Sequence, residues 1–463
     1  MRCIIHRVIA SLDDVERLLR PVGYLGLAAR PLYLLPLLRT GCLSELLTVE
    51  AADIGWAERF GVLMHSLEEQ TGRREDTSSG RHLEELMPTL PGLVGSRWRG
   101  REFALAAYGT YRERWRQAIE RTGASLLVPP APGGAELLTD KVLMRDWFEH
   151  LGVPTPASVV VDRVEYPLLS GKFGPTFVAQ RPRSSGGNGT YLITDASEAR
   201  ELPQRDCWLV SEYAGDTTFS FHGFVPREGM PEVLRPALQL TGVEGLGSGF
   251  GGYVGTDFHA PALLPSPVLA KGRDAMERIG HGLAGLGYRG IFGGDFALRA
   301  DGSVAALEIN CRVLGSTWLL GELELAADRL PTMVRHIAER HGHSTLGKPD
   351  LDPVEAVQLT IRHSGGPGVL LNAPPGGVYA LEGERLVFRR AGAGLLECGP
   401  KESQECVLVN LPGEGTVLHP GGILGRLVAR RPLTTPDGRS LSPHGRVLVA
   451  AMRSLYSFGE TAS

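Results

Sequence analysis

The chain has 463 residues, too many for one compact core and suited to two or three domains. Hydrophobic residues make up 43%, enough to fill large cores, and 48 basic side chains nearly balance 52 acidic ones. Neither a basic nucleic-acid surface nor a membrane-binding patch is therefore expected. Six scattered cysteines form no C-x-x-C pair and read as reduced thiols of a cytoplasmic protein. The start, MRCIIHRVIASLDD, lacks the long apolar run of a signal peptide. The most apolar stretch, 24–47, is cut by Arg30, Pro31 and Arg39 and cannot span a bilayer. Lysine is scarce, and none of the five lysines sits between Gly and Ser or Thr as a P-loop requires. H-E-x-x-H and G-x-S-x-G are absent as well.

Residues 1–136 mix apolar runs with polar loops and suit an α/β domain. TGRREDTSSGRH (71–82) reads as a mobile loop, 101–122 as a helix, and SLLVPPAP (125–132) as a buried strand ending in a proline turn. A helix starts at Asp140, with Val142, Leu143, Trp147 and Leu151 at helical spacing, and ends at Gly152 and Pro154. Short strands follow at 157–161, 176–180, 190–194 and 207–213. A helix near 266–286 precedes a hairpin at 291–310, and a further helix is expected over about 321–341. HGHSTLGKPDLDP (341–353) reads as a linker, with His341 and His343 solvated. The tail, 354–463, has strand-like pieces (EAVQLTI, LVFRR, CVLVNL) and a closing helix near 444–456.

The richest stretch is IFGGDFALRADGSVAALEINCR (291–312). Asp301-Gly302 predicts a two-residue hairpin turn. Paired positions then sum to 603, so Phe296 faces Leu307 and Asp295 faces Glu308. Phe296, Leu298, Ala305, Leu307 and Ile309 share an apolar face, and Asp295, Glu308 and Asn310 the other. Carboxylates directly across a strand pair repel. A divalent cation reverses the sign of that interaction, and oxygen ligands on a half-open site suit Mg²⁺ with bound phosphates. An isolated pair reads first as a solvated sheet face. Asn310 on the same face and Arg312 just beyond favour a metal–phosphate site.

RPRSSGGNGT (181–190) then has a use. A glycine-rich hairpin loop lays backbone N–H groups on phosphate oxygens, Ser184 and Ser185 add hydroxyls, and Arg181 adds charge. A second glycine cluster, GLGSGFGG (245–252), precedes no helix and is either a mobile loop over the substrate or a plain surface loop. His222, His259 and His281 have no partner legible in the sequence and are read as structural.

Four elements occur in order: LTDKVLMRDWFEHLGVPTP (138–156), FVAQRPRSSGGNGT (177–190), WLVSEYAGD (208–216) and GGDF…LEINCR (293–312). Together they resemble the ATP-grasp superfamily, over about residues 137–345. The resemblance implies an α/β (α+β) fold, with an ATP-grasp core (137–345) between an N-terminal α/β pre-grasp domain (1–136) and a C-terminal α+β domain (346–463). By the same resemblance Lys141 reaches the α-phosphate and Arg181 stands for a second phosphate-binding lysine. Ser185, Gly186, Gly187 and Gly189 form the phosphate lid, and the backbone of Glu212, Tyr213 and Ala214 reads the adenine edge. Asp216 holds the ribose, at an irregular offset. Asp295, Glu308 and Asn310 bind Mg²⁺, and Arg312 lies near the transferred phosphoryl group. Cys311 replaces the usual proline there and is read as a packed residue.

In this superfamily ATP usually phosphorylates a carboxylate and a nucleophile attacks the acyl phosphate. No covalent enzyme intermediate is expected. The three-part layout and the run LHPGGILGRLVARRPLTTPDGRSL (418–441) are similar to the pheganomycin-type peptide ligases. That implies a small-molecule carboxylate, such as a modified or N-blocked amino acid, and the amine of a peptide or amino acid. Dipeptide synthesis from free amino acids and a non-catalytic ATP-binding protein stay open as alternatives. Enzymes of this superfamily are often dimers, so a homodimer is among the expectations.

Overall fold

The computed structural model describes residues 7–53, 55–72, 74, 104–107, 117, 121, 125–126, 137, 139–184, 187, 189–347 and 355–460. Three of the five sheets among the described residues organise them. The first is parallel and N-terminal, in the order β3-β2-β1-β4-β5, from β1 (Tyr24–Ala28), β2 (Leu43–Thr48), β3 (Leu63–Ser66), β4 (Ala104–Ala107) and β5 (Ser125–Leu126). β1 is buried along its whole length, as expected of a central strand of a parallel sheet. β4 corrects the expected helix at 101–122: its ALAA run favours a helix locally, but pairing with β1 overrides that preference. Most of the rest of that helix and most of 71–82 lie outside the described residues.

The second sheet is small and antiparallel, in the order β6-β9-β7-β8, from β6 (Ser158–Val161), β7 (Phe177–Gln180), β8 (Thr190–Ile193) and β9 (Trp208–Glu212). Before it stands helix α1 (Lys141–His150), whose N-cap Asp140 accepts a hydrogen bond from Val142 N.

The third sheet has ten strands. Its members are β10 (Thr217–Val225), β11 (Glu232–Thr241), β12 (Tyr253–Asp257), β13 (Gly290–Leu298), β14 (Val304–Asn310), β15 (Val357–Arg362), β16 (Gly377–Glu382), β17 (Arg385–Ala391), β18 (Glu405–Val409) and β19 (Ile423–Ala429). They lie in the order β14-β13-β10-β11-β12-β15-β19-β18-β16-β17. The sheet thus runs unbroken from the 291–310 hairpin into the tail. Helix α2 (Ser266–Gly285) packs Met276 and Ile279 on one face of it, among Phe219, Phe221 and Phe296.

The helix expected over 321–341 is two helices, α3 (Thr317–Ala326) and α4 (Thr332–Arg340). Pro331 lacks the N–H a continuous helix would need, and Asp328 turns the chain at φ 53°. Part of the expected linker is ordered structure: Ser344–Thr345 pairs in parallel with Val8–Ile9. His343 is buried, and His341 meets the Tyr24 ring edge-on at 5.8 Å, so the histidine pair is packed rather than solvated. Helix α5 (Pro443–Arg453) is followed by a short strand, Ser457–Gly459. Among the described residues no helix is long and apolar enough to cross a membrane.

Candidate active site

Between the small sheet and the large one lies a cavity of about 860 Å³. β7, β8 and β9 wall one side, and β10 to β14 the other. The wall has a physical origin in strand alternation. Thr218 and Ser220 on β10, Gln239 on β11, Thr256 on β12, and Asp295 on β13 all project from one face of the sheet into the cavity.

Asp295 and Glu308 are direct cross-strand partners, as expected, but by a different route. The hairpin loop has three residues: Arg299 N donates to Ser303 O, Gly302 N donates to Arg299 O, and Gly302 takes φ 77°. Near the turn the register is therefore one residue off, with Ala297 opposite Ala305 and Phe296 opposite Ala306 rather than Leu307. A β-bulge at Leu307 restores the register at Asp295–Glu308. The bulge also corrects the faces. Ala305 and Leu307 pack with Ala297 and Ala214 on the cavity side, while Val304 and Ala306 join Phe296 and Ile309 in the core.

The pair is strongly polarised. Burial, and then the Glu308 charge, push the Asp295 carboxyl up to about 7, while Gln239 hydrogen-bonds to it. Asn310 Nδ2 donates to Asp295 Oδ2 at 3.2 Å, and Arg312 Nη2 donates to Asn310 Oδ1 at 3.0 Å. Lys141, only 7% exposed, lies 3.2 Å from Glu308 Oε2 and donates to Ser184 O at 2.7 Å. It ties the base of the glycine loop to the carboxylate pair.

No family model matches the chain. It is similar to an L-propargylglycine–L-glutamate ligase of Streptantibioticus cattleyicolor, 35% identical over 117 residues that cover 21% of this chain. The match spans about a quarter (24%) of that relative's length. Solved structures are similar over most of the chain. The biotin carboxylase domain of the Hydrogenobacter thermophilus 2-oxoglutarate carboxylase, complexed with magnesium ADP and bicarbonate, has TM-score 0.59 and 13% identity, over 94% of this chain and 90% of that one. N5-carboxyaminoimidazole ribonucleotide synthetase of Thermotoga maritima has TM-score 0.54 and 14% identity, over 94% and 99%. Both are ATP-grasp enzymes. The chain has the ATP-grasp fold.

The ATP-grasp fold brings most of the expected residues to one place. Gly187, Glu212, Tyr213, Ala214, Asp216, Asp295, Glu308, Asn310 and Arg312 all line the cavity. Lys141 borders it through Glu308. Ser185 and Gly186 lie outside the described residues. Ser184 turns its hydroxyl back to Arg181 O, and Gly189 O accepts from Arg181 N, so both shape the hairpin base. Arg181 stands apart from the cavity. Its guanidinium is 45% exposed, pairs with Asp206 at 3.3 Å, lies over the Trp208 ring and does not line the cavity. The Glu212 carboxylate is held by Arg299 and by Ala157 N, which leaves the following backbone to face the cavity. Asp216 accepts from the Tyr213 hydroxyl and pairs with Arg439 at 2.7 Å.

The second glycine cluster also has its answer. Ser248 to Gly251 line the cavity, and Phe250 meets the Tyr213 ring. Gly187 and Gly251 touch backbone to backbone: a Cβ on Gly187 would sit 2.4 Å from Gly251 O. Two glycine loops thus meet over the cavity.

Arg145, Ser316 and three residues of a turn in the tail also line the cavity, and the sequence did not single them out. Arg145, 7% exposed, lines the cavity and is pushed down to about 10 by burial. Its signal was present: it stands four residues after Lys141, on the same helix face. Asp437, Arg439 and Ser440 reach the cavity from a turn in the C-terminal tail, and no local pattern announces that. Ser316 lines the cavity at the N-terminus of α3.

Proposed function

We propose that the protein is an ADP-forming ligase that joins a carboxylate to an amine at the expense of ATP. The observation that carries this reading is the Asp295–Glu308 pair, set face to face in a cavity that also holds Asn310 and Arg312. Left alone, the pair is an unfavourable arrangement, as the raised Asp295 carboxyl reflects. Asp295, Glu308 and Asn310 form an open set of oxygen ligands that fits Mg²⁺, with positions left for water and phosphate. Among the described residues no cluster of three or more His, Cys, Asp and Glu side chains is built to hold a metal. When bound, Mg²⁺ would neutralise charge on the phosphates of ATP.

The chain's own residues do the rest by positioning and electrostatics. Glu212, Tyr213 and Ala214 offer backbone to the adenine, and Asp216 lies beside them for the ribose. Lys141, Arg145 and Arg312 bring positive charge to the triphosphate and to the incoming carboxylate, two anions that otherwise repel. The glycine loops close over the phosphates and exclude water from the γ-phosphate. The carboxylate oxygen takes the γ-phosphoryl group, ADP leaves, and the amine displaces phosphate from the acyl phosphate.

The acceptor is the amine of an amino acid or peptide. The relative in Streptantibioticus cattleyicolor is named for joining two amino acids, which supports an amino-acid donor and favours a single amino acid over a longer peptide as acceptor. The test is ADP release by the purified protein with Mg-ATP, a pool of acids and a pool of amines, each omitted in turn. ADP that requires both pools is expected. Tight ATP binding with no ADP from any pool would instead leave a nucleotide-binding protein.

A further inference from the structure

His222 is a buried imidazole that the reading above does not use. It stands on β10 in the row of the sheet next to the carboxylate pair. Gly293 faces both His222 and Asn310, just as Asp295 faces Ser220 and Glu308. Gly293 leaves room over that row, and Leu314 fills it: a Cβ on Gly293 would sit 2.2 Å from Leu314 Cδ1. The segment after the metal-ligand strand, from Asn310 through Arg312 and Leu314 to Ser316, is thereby laid across the end of the cavity.

There Ser316 Oγ meets His222 Nε2 at 3.2 Å. Ser316 is the N-cap residue of α3, where a serine hydroxyl ordinarily accepts from the first turn of the helix. Here it makes no such bond. Its hydroxyl is turned to the histidine, and the residue lines the cavity at 7% exposure. The cap is forgone for something else.

The histidine shows the direction of the hydrogen bond. His222 is fully buried, packs on the Phe258 ring at 6.1 Å, and its Nδ1 has no hydrogen-bond partner among the described residues. Burial pushes the imidazole down to about 3, so one nitrogen carries a proton and the other a lone pair. A proton on Nδ1 would be a buried donor aimed at nothing. A proton on Nε2 is donated to Ser316 Oγ and leaves only a lone pair unsatisfied, which is the more tolerable orphan. Ser316 then accepts from His222, and its own O–H is free to donate into the cavity.

We infer that Ser316, oriented by His222, is a neutral oxyanion donor for the amide-forming step. The inference rests on the ligase reading above. In that step the amine lone pair attacks the acyl-phosphate carbon and the C–N bond forms. The carbonyl pair moves onto oxygen, which becomes the oxyanion that Ser316 receives. Collapse restores the carbonyl and breaks the C–O bond to phosphate, which leaves with the electron pair and takes up the proton that the amine gives up. Arg312, in the same segment, supplies charge, and Ser316 supplies a directed hydrogen bond. His222 is a positioning residue, since it reaches the substrate only through Ser316.

The test compares wild type, Ser316→Ala, Ser316→Thr, His222→Leu, His222→Gln and the Ser316→Ala/His222→Leu double variant. Three quantities are read: Mg-ATP affinity by calorimetry, ADP release with both pools, and oxygen-18 scrambling in γ-labelled ATP with the acid pool alone. Scrambling reports reversible acyl-phosphate formation. Ser316→Ala is expected to slow two-pool ADP release about 100-fold, with affinity and scrambling within about threefold of wild type. Ser316→Thr and His222→Gln should keep most of the rate, and the double variant should be no slower than Ser316→Ala. Full-rate ADP release by Ser316→Ala overturns the inference, as does equal loss of scrambling, which would assign Ser316 to phosphoryl transfer. Losses that multiply in the double variant overturn the role of His222. If His222→Leu fails to bind Mg-ATP, the two serine variants decide. A wild type that releases no ADP with any pool sinks the ligase reading itself, and this inference with it.

Discussion

Asp295 and Glu308 face each other because a three-residue turn and a bulge cancel. The pair is costly without a cation, so its removal separates function from folding. Glu308→Ala should reduce ADP release at least about 100-fold while the unfolding temperature changes little, since the lost Lys141 contact is offset by relief of the repulsion. Full activity in that variant would dismiss the metal assignment. The arginines can be ranked the same way. Arg145 lines the cavity, whereas Arg181 is engaged by Asp206 and Trp208 outside it. Arg145→Ala should weaken Mg-ATP binding about 10-fold or more, and Arg181→Ala should change it far less. Calorimetry on both variants checks this, and the reverse ranking would return Arg181 to the phosphates. Charge at a position was legible in the sequence, but the direction of a long side chain was not, because distant partners set it.

The glycine loops act as a pair. Gly187 has φ 82° and no room for a Cβ against Gly251 O, so two constraints meet at one residue. Gly187→Ala should leave the unfolding temperature nearly unchanged, because the loop is peripheral to the cores. It should lower two-pool ADP release about 10-fold or more by holding the loops apart. An unchanged rate would mean that the contact is not part of closure. Composition and order pointed to the 181–190 loop as a candidate phosphate lid, and Gly187 does line the cavity. The role of 245–252 was not readable, because nothing local says which loop it meets. α3 and α4 teach a similar lesson: hydrophobic spacing runs through 321–341, yet Pro331 and the αL turn at Asp328 divide it.

The ten-stranded sheet crosses from the grasp core into the tail, with β12 paired to β15 and β15 to β19. A chain ending at residue 345 should therefore fail to give a cooperatively unfolding protein, as circular dichroism would read; a cooperative transition would make the core autonomous. Stability also depends on a buried carboxylate that joins two helices. Glu324 on α3 accepts from Thr332 N and Oγ1 at the start of α4, and burial pushes its carboxyl up to about 7. A folded pKa above the unfolded value means that the folded state holds the extra proton. The stability from this group is therefore full below about pH 4 and is lost as pH rises to about 7, up to about 3 kcal/mol. Glu324→Gln, neutral at every pH, should gain unfolding temperature relative to wild type between pH 5 and pH 8. A constant or shrinking difference would contradict the burial of that charge.

Order and spacing were enough to read the grasp core, because its motifs lie on consecutive elements. Strand alternation and turn chemistry act within a few residues, and they placed Asp295, Glu308, Asn310 and Arg312 near one another; Lys141 joined them only through the resemblance. Arg439 beside Asp216, Ser316 on His222, and Gly187 on Gly251 join residues 223, 94 and 64 positions apart. Such contacts depend on how whole sheets stack and which strands become neighbours. That is settled by burial of the cores and leaves no periodic trace in the local sequence.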